Sequence, residues 1–266
     1  MEDAGNDWML QIPYLHRLSV LTLVFTVKGL GLTFTSWNVR GVNDPVKRRK
    51  VLTHLKSLSS DVIFLQETHL KRDFHIRLRC NWVGQVYHSS FSAKARGVAI
   101  LIRKGVLFKH HSTIADKQGR YIIVTGELQS IPVTLLNVYG PNYDSPDFFR
   151  KVIDKIPDIS NSNLIFGGDF NCVLDQYLDK SATTRNPSSS TSTFLKAFIN
   201  NSNIYDVWRI LNPAGKEYSF HSHVHNVYTR IDYFLLDAKL MPFVCGAKYH
   251  NIIISDHSPV TLSLTL

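Results

Sequence analysis

The strongest constraint in this sequence is where its short apolar runs stop. The run TFTSWN ends at Asn38, DVIFLQ leads directly to Glu67, TLLNVY ends at Tyr139, and LIFGGD ends at Asp169, with Asn171 two residues further on. Near the C-terminus Asp232 sits inside the apolar run RIDYFLL, and the pair Asp256-His257 follows IIIS. Short continuous apolar runs are the mark of buried strands. An acid in such a run costs free energy unless it is paired or metal-bound. A capped loop carboxylate is an ordinary explanation for any one of these residues. It is a poor explanation for a whole set that strand ends would gather on one rim.

The rest of the pattern gives the frame. Regularity begins at Leu30. Gly31 to Asn38 is predicted as a strand ending in a loop, Val39 to Asn43, and Asp44-Pro45 as a helix start, with a capping side chain followed by a residue that needs no N–H partner. Val46, Leu52, Leu55 and Leu58 then keep helical spacing. Further strands are predicted at Asp61 to Gln66, Val98 to Ile102, Tyr121 to Leu128, Val133 to Tyr139, Leu164 to Gly168, Arg230 to Leu236, around Ile252, and at Val260 to Leu264. Helices are expected at Pro146 to Ile156, Thr193 to Asn200 and Ala238 to Val244, and a Ser/Thr/Asn-rich surface loop at Ser181 to Ser192. Strands outnumber helices and the two alternate, which predicts an α/β sandwich. The 266 residues, 44% of them hydrophobic, suffice for one large core. One domain is therefore expected over residues 30–266, with residues 1–29 as a peripheral N-terminal extension. The apolar stretch Leu18 to Val27 is ten residues long, short of the roughly 20 that cross a bilayer. Glu2, Asp3 and Asp7 precede it and no small-residue cleavage site follows, so it reads as extension or early strand and no membrane partner is expected.

Charge and cysteines narrow the partners. Thirty basic residues against 21 acidic give a formal +9, which suits a polyanion such as nucleic acid, although solubility alone accounts for it equally well. Lys47 to Lys50, Lys71-Arg72, Lys94 with Arg96, and Arg103-Lys104 are candidate phosphate contacts or, equally, solvated faces. Cys80, Cys172 and Cys245 are odd in number and lack metal-type spacing, so a reducing, intracellular compartment is expected. His221, His223 and His225 alternate along HSHVH; a hairpin or loop near a nucleic-acid groove is the preferred reading, a zinc site the alternative.

The set of polar residues suits phosphodiester hydrolysis. Glu67 is a hard oxygen ligand of the kind Mg²⁺ takes alongside waters and phosphate oxygens. Asp169 could orient or deprotonate a water, with Asn171 placing the phosphate. His257 could donate to a non-bridging oxygen while Asp232 holds its tautomer. No covalent nucleophile is needed.

SWNVRG (36–41), QET (66–68), NVYGPN (137–142), GGDFN (167–171), RIDYFLL (230–236) and SDHSPV (255–260) stand in the order that resembles the endonuclease/exonuclease/phosphatase superfamily. The resemblance spans residues 30–266. It implies a four-layer α/β sandwich of the deoxyribonuclease I type, two packed mixed sheets flanked by helices. The implied site comprises Asn38, Glu67, Tyr139, Asp169, Asn171, Asp232, Asp256 and His257. Glu67, Asn38 and Asp256 are expected on the metal side. Tyr139 is expected to contact the phosphate and to act with Asp169, Asn171, Asp232 and His257 in catalysis. Arg40, Ser219, Phe220 and Arg230 are expected to bind substrate. The cofactor implied is Mg²⁺, with Mn²⁺ able to substitute, and no small organic cofactor or oligomer is implied.

Within the superfamily, QETHLKRD, GDFNCVLD, IYDVWRILNP with EYSF, and SDHSPV resemble the apurinic-endonuclease-like domains of non-LTR retrotransposons. That resemblance implies an endonuclease that nicks DNA to leave a 3′-hydroxyl, working in the nucleus. The alternatives are an apurinic/apyrimidinic repair enzyme of the exonuclease III type, a phosphatase of the same superfamily, and an inactive binding relic. Two departures from the repair enzymes matter: Arg40 stands where they usually carry Asp, and Thr229 where they carry Trp.

Overall fold

The computed structural model describes residues 30–182 and 188–266. Residues 1–29, with the stretch Leu18 to Val27, and part of the predicted loop at 181–192 lie outside the described residues.

Among the described residues, fourteen strands and four α-helices follow in chain order. They are β1 (Gly31–Asn38), α1 (Pro45–Ser57), β2 (Val62–Gln66), β3 (Val83–Ser89), β4 (Val98–Arg103), β5 (Phe108–Ala115), β6 (Tyr121–Leu128), β7 (Ile131–Tyr139) and α2 (Pro146–Ile153). Then come β8 (Asn163–Asp169), α3 (Ser190–Asn201), β9 (Ile204–Asp206), α4 (Val207–Leu211), β10 (Phe220–Ser222), β11 (Val227–Thr229), β12 (Asp232–Asp237), β13 (Val244–Tyr249) and β14 (Val260–Thr265). Two six-stranded sheets run in the orders β13-β14-β1-β2-β4-β3 and β5-β6-β7-β8-β12-β9, and β10 with β11 forms a separate hairpin. The pairs β1–β2 and β7–β8 are parallel and the other pairs antiparallel, so both sheets are mixed.

The continuous apolar runs are explained by burial on both faces. Along β2, Val62 and Phe64 enter the core between the sheets, while Ile63 and Leu65 enter a second core under α1 with Val51, Leu52 and Leu55. Along β8, Ile165 faces the central core, while Leu164 and Phe166 pack outward with Phe149 and Val152 of α2 and Leu195 of α3. Helix, sheet, sheet, helix is the four-layer sandwich expected. The rings of Phe64 and Phe234 meet across the sheets, centroids 5.8 Å apart, and each such side chain contributes about 1.5–3 kcal/mol by its burial. No described helix is long and apolar enough to cross a membrane.

Local signals decide the ends. Asp44 caps α1 by accepting from the Lys47 N–H, with Pro45 next, as expected. Ser189 caps α3, and the Asp144 carboxylate accepts from the Ser190 and Thr191 N–H groups, so this helix starts three residues before the predicted Thr193. Val46 is exposed and Val51 takes the core position instead. No strand forms around Ile252; the strand of that region is β13, a half-exposed edge whose mixed side chains hid it. β3 and β5 also lacked a signal. β5, FKHHSTIA, is an edge strand exposed along most of its length, so it carries no apolar alternation.

The topology places the polar residues. Parallel pairing aligns Asn38 with Gln66 at the carboxyl ends of β1 and β2, and Tyr139 with Asp169 at the carboxyl ends of β7 and β8. Asp232, the first residue of antiparallel β12, lies opposite Asp169. The two sheets are tied at this edge by buried amides. Gln66 Nε2 donates to Asn137 Oδ1 at 2.7 Å, and Asn137 Nδ2 donates to the carbonyls of Leu65 and Ala99.

Candidate active site

Asn38 is the link between the sheets at the rim. Its Nδ2 donates to Glu67 Oε1 at 3.0 Å and to Asp169 Oδ2 at 2.9 Å. Its Oδ1 accepts the Arg40 N–H at 3.0 Å, which fixes which way the amide points. Asp169, 1% exposed, also accepts the Asn171 N–H on Oδ1 at 2.8 Å. Asn171 Nδ2 in turn donates to the Gly140 carbonyl. His257 stands beside this group, with Nδ1 2.8 Å from Asp232 Oδ2 and Nε2 3.8 Å from Asp169 Oδ2. The loop that carries His257 is stitched to β1, because Ser255 Oγ donates to the Asn38 carbonyl and Trp37 Nε1 to the His257 carbonyl.

Left-handed backbone occurs at the same edge, as it does at several turns elsewhere. Glu67, Asn171 and Arg40 have φ of 51°, 48° and 44°, and His69 has 51°. Left-handed non-glycine residues cost free energy and persist where the surroundings over-determine them. Here the Gly41 N–H donates to the Glu67 carbonyl at 2.7 Å, and the Thr68 and His69 N–H groups donate to the carbonyls of Gly97 and Arg96. Gly168, just before Asp169, has φ +145° and would put a Cβ 2.1 Å from the Val138 carbonyl oxygen, so no other residue fits there.

Each proton position follows from its surroundings. Burial pushes the Glu67 carboxyl up, but hydrogen bonds from His69, Asn38 and Tyr139 outweigh it and hold it at about 2, an anion at any working pH. Burial and the Asp232 charge push Asp169 up to about 7. For His257, burial favours the neutral ring, but the Asp232 and Asp169 carboxylates outweigh it and raise the imidazole to about 9. Burial and the Glu67 charge push the Tyr139 phenol well above its ordinary value, so it remains a donor.

The donor set fits a hard divalent cation. Glu67 is anionic and partly exposed. The ligand atoms of Asp169, Asp232 and His257 all lie within 4.8 Å of one another, the one such grouping of three among the described residues. Asp232 Oδ1 is buried without a hydrogen-bond partner, an unmet demand for positive charge or a donor. His257 favours its protonated form, so the carboxylates and not the ring are the natural ligands.

Several expected roles change. Asn38 presents nitrogen to the carboxylates, so in this arrangement it is a donor and not a ligand. Asp256 is paired with the Arg40 guanidinium at 2.8 Å. Arg230 is 1% exposed and lies between Asp179 and Asp206, so it is structural and does not reach substrate. Ser219 is fully buried. Its Oγ accepts the Ile231 and Asp232 N–H groups, which aims Asp232 rather than binding a ligand. Phe220 does reach the site, its ring 4.7 Å from that of His257. HSHVH forms the β10–β11 hairpin, with the rings of His221 and Tyr228 stacked, and no metal grouping includes its histidines among the described residues. Arg103, with Lys104 beyond it, pairs with Asp61 at the start of β2, at the opposite end from Glu67, so this basic pair is remote from the site. Sequence reasoning missed His69, whose Nε2 lies 3.1 Å from Glu67 Oε2. Its position two residues after Glu67 was the available signal. It also missed the amide tie of Gln66 and Asn137, visible in the sequence as polar residues inside apolar strands.

Comparison with known proteins agrees with this geometry. The chain is 26% identical over 249 residues to a transposon TX1 uncharacterized 149 kDa protein of Xenopus laevis, covering 89% of this chain and 18% of that protein's length. It is 25% identical to the DNA repair nuclease APEX1 of Danio rerio, covering 90% of this chain and 84% of that one. The structure of the AP endonuclease LMAP from Leishmania major superposes with a TM-score of 0.72 at 19% identity, over 89% of this chain and 88% of that one, which shows a common fold. The profile of the Endonuclease/Exonuclease/phosphatase family matches residues 35–257, a span that holds every strand-end residue of the site. The chain belongs to the endonuclease/exonuclease/phosphatase family.

Proposed function

We propose that this chain is a Mg²⁺-dependent DNA endonuclease of the retrotransposon type, which nicks intact duplex and leaves a 3′-hydroxyl. The observation that carries the reading is the buried Asp232–His257 pair set against Asp169 on a rim that also holds the anionic Glu67. Glu67 would hold the cation, which supplies charge neutralisation at the phosphate. Asp169 takes a proton from the attacking water, and Asn171 orients the phosphate. Asp232 fixes the imidazolium, which donates from Nε2 to a non-bridging oxygen as charge develops there. The Tyr139 phenol is a second donor. The formal +9 supports approach to a polyanion.

The pH dependence has a defined sign. Asp169 must be ionised to accept a proton, so kcat/KM rises as pH passes through about 7. His257 must be charged to donate, so kcat/KM falls as pH passes through about 9. The expected profile is a bell with its plateau between those values. A rate that keeps climbing well above 9 removes the imidazolium from its role.

Substrate choice separates this reading from its relatives. Thr229 cannot stack on a flipped-out sugar as an indole does, so intact duplex is expected to be cut within about tenfold of a duplex carrying one abasic site. The test measures kcat/KM on both duplexes and on an inositol phosphate. A several-hundredfold preference for the abasic duplex overturns the reading in favour of repair. Efficient turnover of the inositol phosphate overturns it in favour of a phosphatase.

A further inference from the structure

The rim carries a cation of its own. Arg40 Nη1 lies 2.8 Å from Asp256 Oδ2, so the side chain of Asp256 is tied to that guanidinium. The Arg40 backbone is held in place at the same time. Its N–H donates to Asn38 Oδ1, its carbonyl accepts from Lys47 Nζ at 2.8 Å, and its φ of 44° is left-handed without being glycine. One residue therefore occupies two oxygen groups of the rim: the Asn38 amide oxygen through its backbone and the Asp256 carboxylate through its side chain. Both oxygens of Asp169 are committed to Asn38 and Asn171, and Oδ2 of Asp232 to His257, deeper in the site. Of the rim carboxylates, Glu67 is left without a basic partner of permanent charge.

We propose that Arg40 is a positioning residue that keeps Asp256 out of the metal shell, so that the free protein holds a single divalent cation weakly at Glu67. This rests on the metal-dependent reading above and deepens it. Mg²⁺ and Mn²⁺ need several oxygens in a nearly octahedral shell, and one carboxylate supplies few of them. A phosphate would supply the rest, which couples cation binding to substrate binding. The exposed ion pair is itself worth little. The effect comes from the fixed positive charge, which repels a second cation whether or not the pair is formed at a given moment.

The test titrates Mn²⁺ into the intact protein without DNA and follows free Mn²⁺ by electron paramagnetic resonance. Wild type is expected to bind one Mn²⁺ weakly, and E67A to lose it. R40Q, which removes the charge and frees Asp256, is expected to tighten binding on the order of tenfold, the scale on which one neighbouring charge acts. R40D is expected to add a second equivalent, and R40K to behave as wild type because the charge is kept. If R40Q and R40D bind with wild-type affinity and stoichiometry while E67A abolishes binding, this inference fails and the metal reading stands. If R40K tightens binding as R40Q does, charge is not the cause and the inference also fails. If no variant binds Mn²⁺, both fail. None of these readouts depends on nicking, and melting of each variant without metal checks that it folds.

Discussion

Replacing Asp169 by Asn, or His257 by Ala, is expected to lower the rate of DNA nicking by about 10²–10⁴-fold each, the range seen when a positioned proton acceptor or a transition-state donor is removed. Both residues are buried. Asp169→Asn keeps the volume but removes the charge and one of the two acceptor oxygens, which take the Asn38 amide and the Asn171 N–H. Asp232→Asn is expected to cost less than His257→Ala, because Asp232 acts through the 2.8 Å bond to Nδ1. The double variant of Asp232 and His257 is expected to match His257→Ala alone, since the pair works as a unit. Single-turnover nicking of a supercoiled plasmid measures all four. Fully additive losses would mean that the two residues do not cooperate.

The second large effect is on stability. The buried Arg230 guanidinium bonds Asp179 through Nε at 2.7 Å and Asp206 through Nη2 at 2.7 Å, and it lies over the rings of Tyr233 and Trp208. Arg209 reaches the same Asp179 oxygen at 2.6 Å, so removing Arg230 leaves Asp179 partly compensated and Asp206 with the Arg209 N–H at the start of α4. Arg230→Ala is expected to lower the free energy of unfolding by about 3–5 kcal/mol, the cost of breaking a buried ion pair from one side. Arg230→Lys is expected to recover little, because an ammonium cannot satisfy two carboxylates bidentately. Urea unfolding gives the loss in stability. KM of the remaining folded enzyme distinguishes this role from a substrate contact. An unchanged midpoint with a raised KM would contradict the structural role.

That case also shows how far the sequence was legible. β1, β2, β7 and β8 carry buried, largely apolar runs because both faces of each strand are covered, and those runs announced the strands and the residues at their ends together. Asp44-Pro45 announced α1 because capping is local chemistry. Arg230 was misread because the RIDY motif shows a basic residue two positions before an acid of the candidate site, while its partners Asp179 and Asp206 are far away in sequence. Ser219 was misread for the same reason: its hydroxyl serves the backbone of residues 231 and 232, a relation only the folded chain creates. The edge strands β5 and β13 escaped because solvent on their outer faces removes the apolar pattern. The turned amide of Asn38 depends on the Arg40 N–H, and no side-chain pattern encodes that.

The central claim is that this rim hydrolyses phosphodiester bonds in DNA with a divalent cation held at Glu67. Relaxation of supercoiled plasmid, with Mg²⁺ and with chelator, for wild type and Glu67→Ala, tests it most directly. Wild type is expected to convert supercoiled to nicked circles in Mg²⁺ or Mn²⁺ and to leave them intact in chelator, and Glu67→Ala to lose rate and metal dependence together. Nicking that persists at the same rate in chelator, or in Glu67→Ala, would contradict it.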